Sequence, residues 1–112
     1  MERILVYYHP ASNSGGDDDR WVVTQRVNAG KEEAFEEIAR QISANTLSKD
    51  EGCLRYEWYR AEAPQTYILI ERWTDIASAQ AHIKAEHIAA LMPKYMDGVP
   101  EKFSVMKLAR ID

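Results

Sequence analysis

Residues 52–73, GCLRYEWYRAEAPQTYILIERW, decide the fold. Leu54, Tyr56 and Trp58 alternate with Arg55, Glu57 and Tyr59, and Tyr67 to Trp73 is a second run of β-branched and aromatic residues. Ala63-Pro64-Gln65 between them carries turn chemistry, so the stretch reads as a β-hairpin. Both strands hold bulky apolar groups on each face. Tyr59 opposes the Leu54, Tyr56 and Trp58 set, while Ile68 and Ile70 oppose Tyr67, Leu69 and Trp73. A strand that is apolar on both sides is usually covered on both sides.

Upstream of the hairpin, Phe35, Ile38 and Ile42 recur at helical spacing within 31–47, with Glu32 and Glu33 in the first turn, where the helix dipole favours acids. Before that helix, Trp21 to Val27 reads as a strand stopped by Asn28-Ala29-Gly30. Downstream, Thr74 is a candidate N-cap for a second helix running to about Met92, where Pro93 ends or kinks it. Phe103, Val105, Met106 and Leu108 mark a last strand over 102–109. The order strand, helix, strand, strand, helix, strand predicts an α+β, ferredoxin-like (split βαβ) fold: an antiparallel sheet with its helices on one face. One domain spans 21–112. Residues 1–20 form an extra N-terminal strand at Ile4 to Tyr8, followed by a solvated acidic loop ending in Asp17, Asp18 and Asp19. With no second helical layer to cover the other sheet face, a second copy of the chain is the expected cover, giving a homodimer.

Composition limits the partners. At 112 residues, 46% apolar and 29% charged, the chain is long enough for one core and falls in the range of ordinary globular domains. Fourteen basic against eighteen acidic residues leave a net charge of −4, which excludes the basic face that nucleic acid or anionic lipid requires. Cys53 is the single cysteine, so no internal disulfide forms. No apolar run approaches the roughly 20 residues of a membrane span, and the N-terminus lacks the pattern of a secretory signal; the cytoplasm is the expected compartment.

Two of the three histidines, His82 and His87, lie on the second predicted helix. On a straight helix at about 100° per residue they diverge by about 140°, which excludes a shared metal ion. With Ile76 at the centre of the apolar stripe, His87 points to the sheet and His82 to the edge of the polar side, one turn from Glu86. His82 then reads as a solvated or Glu86-paired side chain. His87 is either a core histidine bonded to a backbone carbonyl or a group in an interior pocket. Gln25 shares a strand face with Trp21, Val23 and Val27. Glu71 lies between Leu69 and Trp73 and needs a partner, for which Arg55 is a candidate.

The run GCLRYEWYR, then YILIERW, then AHIKAEH at 81–87, preceded by WVVTQRVNAGKEEAFEEI at 21–38, resembles the antibiotic biosynthesis monooxygenase (ABM) family of dimeric α/β barrels. The resemblance implies a small oxygenase that uses no flavin, haem or metal and oxidises an electron-rich aromatic such as a quinol, anthrone or polyphenol with O2. The deprotonated substrate itself supplies electrons, the role usually taken by a cofactor. It further implies His87 as the catalytic base, aromatic pocket walls drawn from Tyr56, Trp58, Tyr67, Trp73 and Phe103, a hydrogen bond from Gln25, and supporting roles for Glu71 and His82. The haem-degrading members of similar order use a histidine and a tryptophan at spacings where this chain has Met92 and His82, so haem is not expected. A non-catalytic dimer binding a small molecule and a cofactor-free isomerase of a small carbonyl compound are the competing expectations.

Overall fold

The computed structural model describes residues 19–100 and 103–112, so the N-terminal strand expected at 4–8 and most of the acidic loop lie outside the described residues. The elements follow in the expected order: β1 (Asp19–Arg26), α1 (Glu32–Lys49), β2 (Cys53–Arg60), β3 (Thr66–Trp73), α2 (Ile76–Ile83), α3 (Glu86–Asp97) and β4 (Ser104–Leu108). The four strands form one antiparallel sheet in the order β2-β3-β1-β4, the ferredoxin-like topology. No helix among the described residues is long and apolar enough to cross a membrane.

Burial follows the period of two. Trp21, Val23 and Gln25 of β1 and Tyr67, Leu69, Glu71 and Trp73 of β3 point to the helices and are buried. Phe35, Ile38 and Ile42 of α1 pack onto them, as do Ile88, Leu91 and Tyr95 of α3. The opposite face carries Val22, Ile68 and Ile70, each half-buried, with Met106 60% and Leu108 41% exposed. The sheet is therefore apolar on both faces, and among the described residues helices cover only one of them.

Four details depart from the sequence expectation. Asp19 belongs to β1 rather than to a solvated loop: it is buried, accepts the Trp21 indole N–H at 2.7 Å and lies 3.0 Å from the Lys107 ammonium. Trp21 supplies the donor that makes such burial tolerable. The register of β2 slips between Cys53 and Arg55, so Leu54 is extruded to 50% exposure while Cys53 packs against the core in its place. Asp75, not Thr74, caps α2, its side chain accepting the Ser78 N–H at 2.8 Å. Pro93 does not end the last helix, which continues to Asp97 with Met92 and Tyr95 on either side of it buried.

The expected single second helix is two helices. Lys84 and Ala85 interrupt it: Ala85 adopts an extended conformation (φ −67, ψ 144), and its N–H closes a tight turn onto the His82 carbonyl at 3.1 Å. This joint redirects α3 and removes the premise that His82 and His87 diverge.

Candidate functional site

Asp50 ends α1, just before the Gly52 turn into β2. Gly52 has φ +86, and its carbonyl accepts the Thr74 N–H at 2.8 Å, which ties the end of α1 to the start of α2. That tie brings Asp50 under the two histidines. Its Oδ2 lies 2.6 Å from His82 Nδ1 and its Oδ1 2.7 Å from His87 Nε2. The three side chains are 11%, 6% and 10% exposed, respectively. A carboxylate only accepts, so each imidazole presents an N–H to it, and His82 Nε2 and His87 Nδ1 are left as the free ring nitrogens. Nδ1 of His87 is buried without a hydrogen-bond partner, which a bare lone pair tolerates better than an N–H.

The arrangement corrects the sequence reading of both residues. His82, placed there on the polar edge, belongs with Ala79 to the buried stripe of α2, because the stripe is not centred on Ile76. Its ring lies 4.8 Å from that of Trp73 and 5.3 Å from that of Tyr56. His87 sits behind Asp50 rather than in the interior. Asp50 was missed altogether, since an Asp-Glu-Gly break carries no signal beyond a turn.

Between helices and sheet lies a small, partly open cavity of about 50 Å³, with His82, Glu71, Tyr56, Trp58, Tyr95 and Phe103 in its wall together with the aliphatic side chains around Met92. One water requires about 10–15 Å³ by this measure, so the space takes a few waters and is too small for a fused-ring molecule unless the wall moves. Trp58 is also in the wall of an outer groove of about 370 Å³, with Glu36, Arg40, Tyr59, Arg60 and Tyr67. Trp58 thus lines both the roomy surface groove and the smaller cavity, and its indole N–H is buried without a partner.

Of the other expected site residues, Glu71 lies in the cavity wall but is not paired with Arg55, which turns outward to Glu57 at 2.7 Å; Glu71 accepts the Trp73 indole N–H at 2.9 Å instead. The register sets Arg55 opposite Arg72 and Tyr56 opposite Glu71, which rules the Arg55 pair out. Trp73 is fully buried behind Glu71 and His82. Gln25, also fully buried, accepts the Tyr95 hydroxyl at 2.8 Å and donates to the Arg26 carbonyl at 2.8 Å, so it buttresses Tyr95 rather than lining the cavity. Tyr67 donates its hydroxyl to Glu36 in the outer groove at 2.7 Å. Tyr95 was missed because the helix was expected to stop near Pro93.

The electrostatics narrow the chemistry. Burial, reinforced by the Glu71 charge, holds the Tyr56 hydroxyl well above its ordinary pKa and pushes the Cys53 thiol up to about 11. Neither supplies a base or a thiolate near neutral pH. The cavity wall holds two side chains of a proton-accepting type, His82 and Glu71.

The sequence profile described as antibiotic biosynthesis monooxygenase matches residues 16–94. No curated protein matches the chain in sequence. Among solved structures, a conserved protein from Methanosarcina mazei Go1 superposes with a TM-score of 0.77 at 24% identity, covering 84% of this chain and 93% of its own. Candidate antibiotic biosynthesis monooxygenases from Caulobacter crescentus CB15 and Nitrosomonas europaea each give a TM-score of 0.80. The first is 16% identical over 100% of both chains; the second is 20% identical over 88% of this chain and 95% of its own. These likenesses support the fold, and the profile spans well over half of the residues: the chain belongs to the antibiotic biosynthesis monooxygenase family.

Proposed function

We propose that the protein is a cofactor-independent monooxygenase that oxidises a small electron-rich aromatic, of the quinol, anthrone or polyphenol class, with O2. The observation that carries this reading is the His82–Asp50 pair. Asp50 holds the ring through Nδ1, which fixes its tautomer and orientation and leaves Nε2 as the acceptor on a histidine that borders an aromatic-walled cavity. His82 thus takes the role that the sequence gave to His87. Proton removal from a phenolic substrate raises its electron density, and the phenolate then transfers an electron to O2. General-base catalysis of this kind is typically worth about 10² to 10⁴ in rate. Aromatic walls from Tyr56, Trp58 and Phe103 hold a ring by its faces and edges and exclude water. Because the interior space is small as it stands, a ring enters from the outer groove by displacing Trp58.

The working unit in this proposal is a homodimer. Family members are typically dimers, and the uncovered sheet face here presents Ile68, Ile70, Met106 and Leu108.

Oxygen uptake tests the reading. Purified protein accelerates O2 consumption with a panel of hydroquinones and anthrones, and His82→Ala removes the acceleration while His87→Ala retains a substantial part. Full activity in His82→Ala displaces the base assignment; no uptake with any panel member displaces the oxygenase reading. One observation favours a second reading in that case. The Glu71 carboxylate borders the same cavity as His82, a pairing that also suits proton shuttling beside a carbonyl in a cofactor-free isomerase.

A further inference from the structure

We propose that Asp50, His82 and His87 form a binding site for a divalent transition-metal ion of the zinc, cobalt or nickel class, and that its occupation switches the free nitrogen of His82 from acceptor to donor. One ligand atom from each of Asp50, His82 and His87 lies within 4.8 Å of the others, and Nδ1 of His82 and Nε2 of His87 are the ring nitrogens that face the carboxylate. They come from three separate places, the end of α1, the last turn of α2 and the first turn of α3. They meet only because the chain is jointed at Lys84–Ala85. Two imidazoles and one carboxylate favour borderline ions over magnesium or calcium, which prefer all-oxygen sites.

The surroundings of the cluster also suit a cation. Asp50 and His82 open onto a surface depression of about 450 Å³ that also contains Glu51, Asp75, Ser78 and Lys49. Three carboxylates against one ammonium make it an attractive route for a positive ion, and its width leaves room for water to complete the coordination. The present contacts of 2.6 and 2.7 Å suit shared protons. Bonds of about 2.0–2.1 Å to one tetrahedral ion hold ligand atoms roughly 3.3 Å apart, so each imidazole would draw back from Asp50 while ligand atoms now spread over as much as 4.8 Å close in, with the Lys84–Ala85 joint as the place to absorb the shift. One feature weakens the site. A metal on His87 Nε2 moves that ring's proton to Nδ1, which has no partner, and metal ligands without such support typically bind about 10–100-fold less tightly.

The ion replaces both hydrogen bonds to Asp50. On each ring the proton leaves the nitrogen that faces Asp50 and the opposite nitrogen gains one, so no proton is released overall. His82 Nε2 then carries N–H and can no longer accept a proton from a molecule in the cavity. This consequence rests on the proposed oxygenase reading; the binding itself does not.

Isothermal titration of chelator-treated full-length protein with Zn²⁺, and visible absorption with Co²⁺, test the site. The expected results are one ion per chain, a Co²⁺ band, and at least a tenfold loss of affinity in each of Asp50→Asn, His82→Gln and His87→Gln, with circular dichroism confirming that each variant folds. Glu51→Gln, on the rim, changes affinity less than threefold. Absence of binding up to millimolar Zn²⁺, or binding insensitive to His87→Gln, overturns the site. Where oxygen uptake is observed, saturating Zn²⁺ suppresses it in the wild type; binding without suppression overturns the switch. Where no substrate is turned over, the oxygenase reading falls while the titration still decides the metal site.

Discussion

Trp73 donates its indole N–H to the Glu71 carboxylate at 2.9 Å, two residues earlier on the same face of β3. Both side chains are almost wholly buried, and the same indole packs 4.8 Å from the His82 ring. One tryptophan therefore donates to a buried carboxyl group and packs against a histidine. Trp73→Phe keeps most of the packing but removes the donor. The expected loss is about 2–4 kcal/mol in urea denaturation. A change of under about 0.5 kcal/mol would show that Glu71 does not depend on this donor.

Asp50→Ala removes the acceptor for two imidazole N–H groups at once, and a destabilisation of about 2–4 kcal/mol is expected. Asp50→Asn should retain part of it, since the amide oxygen accepts from one ring while the NH2 donates to the other. Equal melting of the two variants would mean that the hydrogen bonds contribute nothing.

Glu36 provides a test by pH. Hydrogen bonds from Arg60 and Tyr67 outweigh the opposing effect of burial and lower its pKa from 4.5 to about 2. A depressed carboxylate stabilises the fold above its unfolded pKa, and the effect disappears as pH falls through the folded value. The stability gap between wild type and Glu36→Gln should therefore be constant above about pH 5 and close between 4.5 and 2. Burial and the same carboxylate push Tyr67 up to about 12, so its protonated form adds stability that is lost as pH rises from 10 to 12. Arg60 is mostly exposed, so salt should shrink the Glu36 effect. A gap that widens on acidification would contradict the sign.

Gly52→Ala should be among the more damaging single methyl additions. The position has φ +86, and a Cβ there would lie 2.7 Å from the Thr74 hydroxyl oxygen and from the Ser78 Cβ. Strain and overpacking together predict a loss of about 2–4 kcal/mol. Asp50, two residues away, would shift relative to His82, which histidine ring-proton NMR shifts would report.

The uncovered sheet face predicts a sedimenting mass of twice 12.9 kDa at micromolar concentration. Ile70→Glu combined with Met106→Glu should give a folded monomer. A wild type that sediments as a monomer would remove the dimer from the proposal.

The sheet was legible in the sequence because period-two burial is written into each strand; the hairpin limits were read to within a residue. The site was legible only in part. Tyr56, Trp58, Glu71 and Phe103 face the cavity as strand alternation implies. The histidines were misplaced because a helical wheel assumes one axis, and Lys84-Ala85 contains neither glycine nor proline to mark the joint. Asp50 was invisible because its role depends on contacts 32 and 37 residues away. Gln25 and Tyr67 sit where alternation places them, yet Tyr95 and Glu36, beyond the reach of any local pattern, determine what they bond.

The slipped register at Cys53–Arg55 has a consequence for colloidal behaviour. Among the described residues β2 is an outer strand of the sheet, and an outer strand offers backbone groups to which a foreign strand could add. An extra residue there bends the rim, and Arg55, Glu57 and Arg60 decorate it with charge. Such a bent, charged rim is a poor template for edge-to-edge growth of the sheet, which leaves the broad apolar face, rather than the edge, as the surface suited to association.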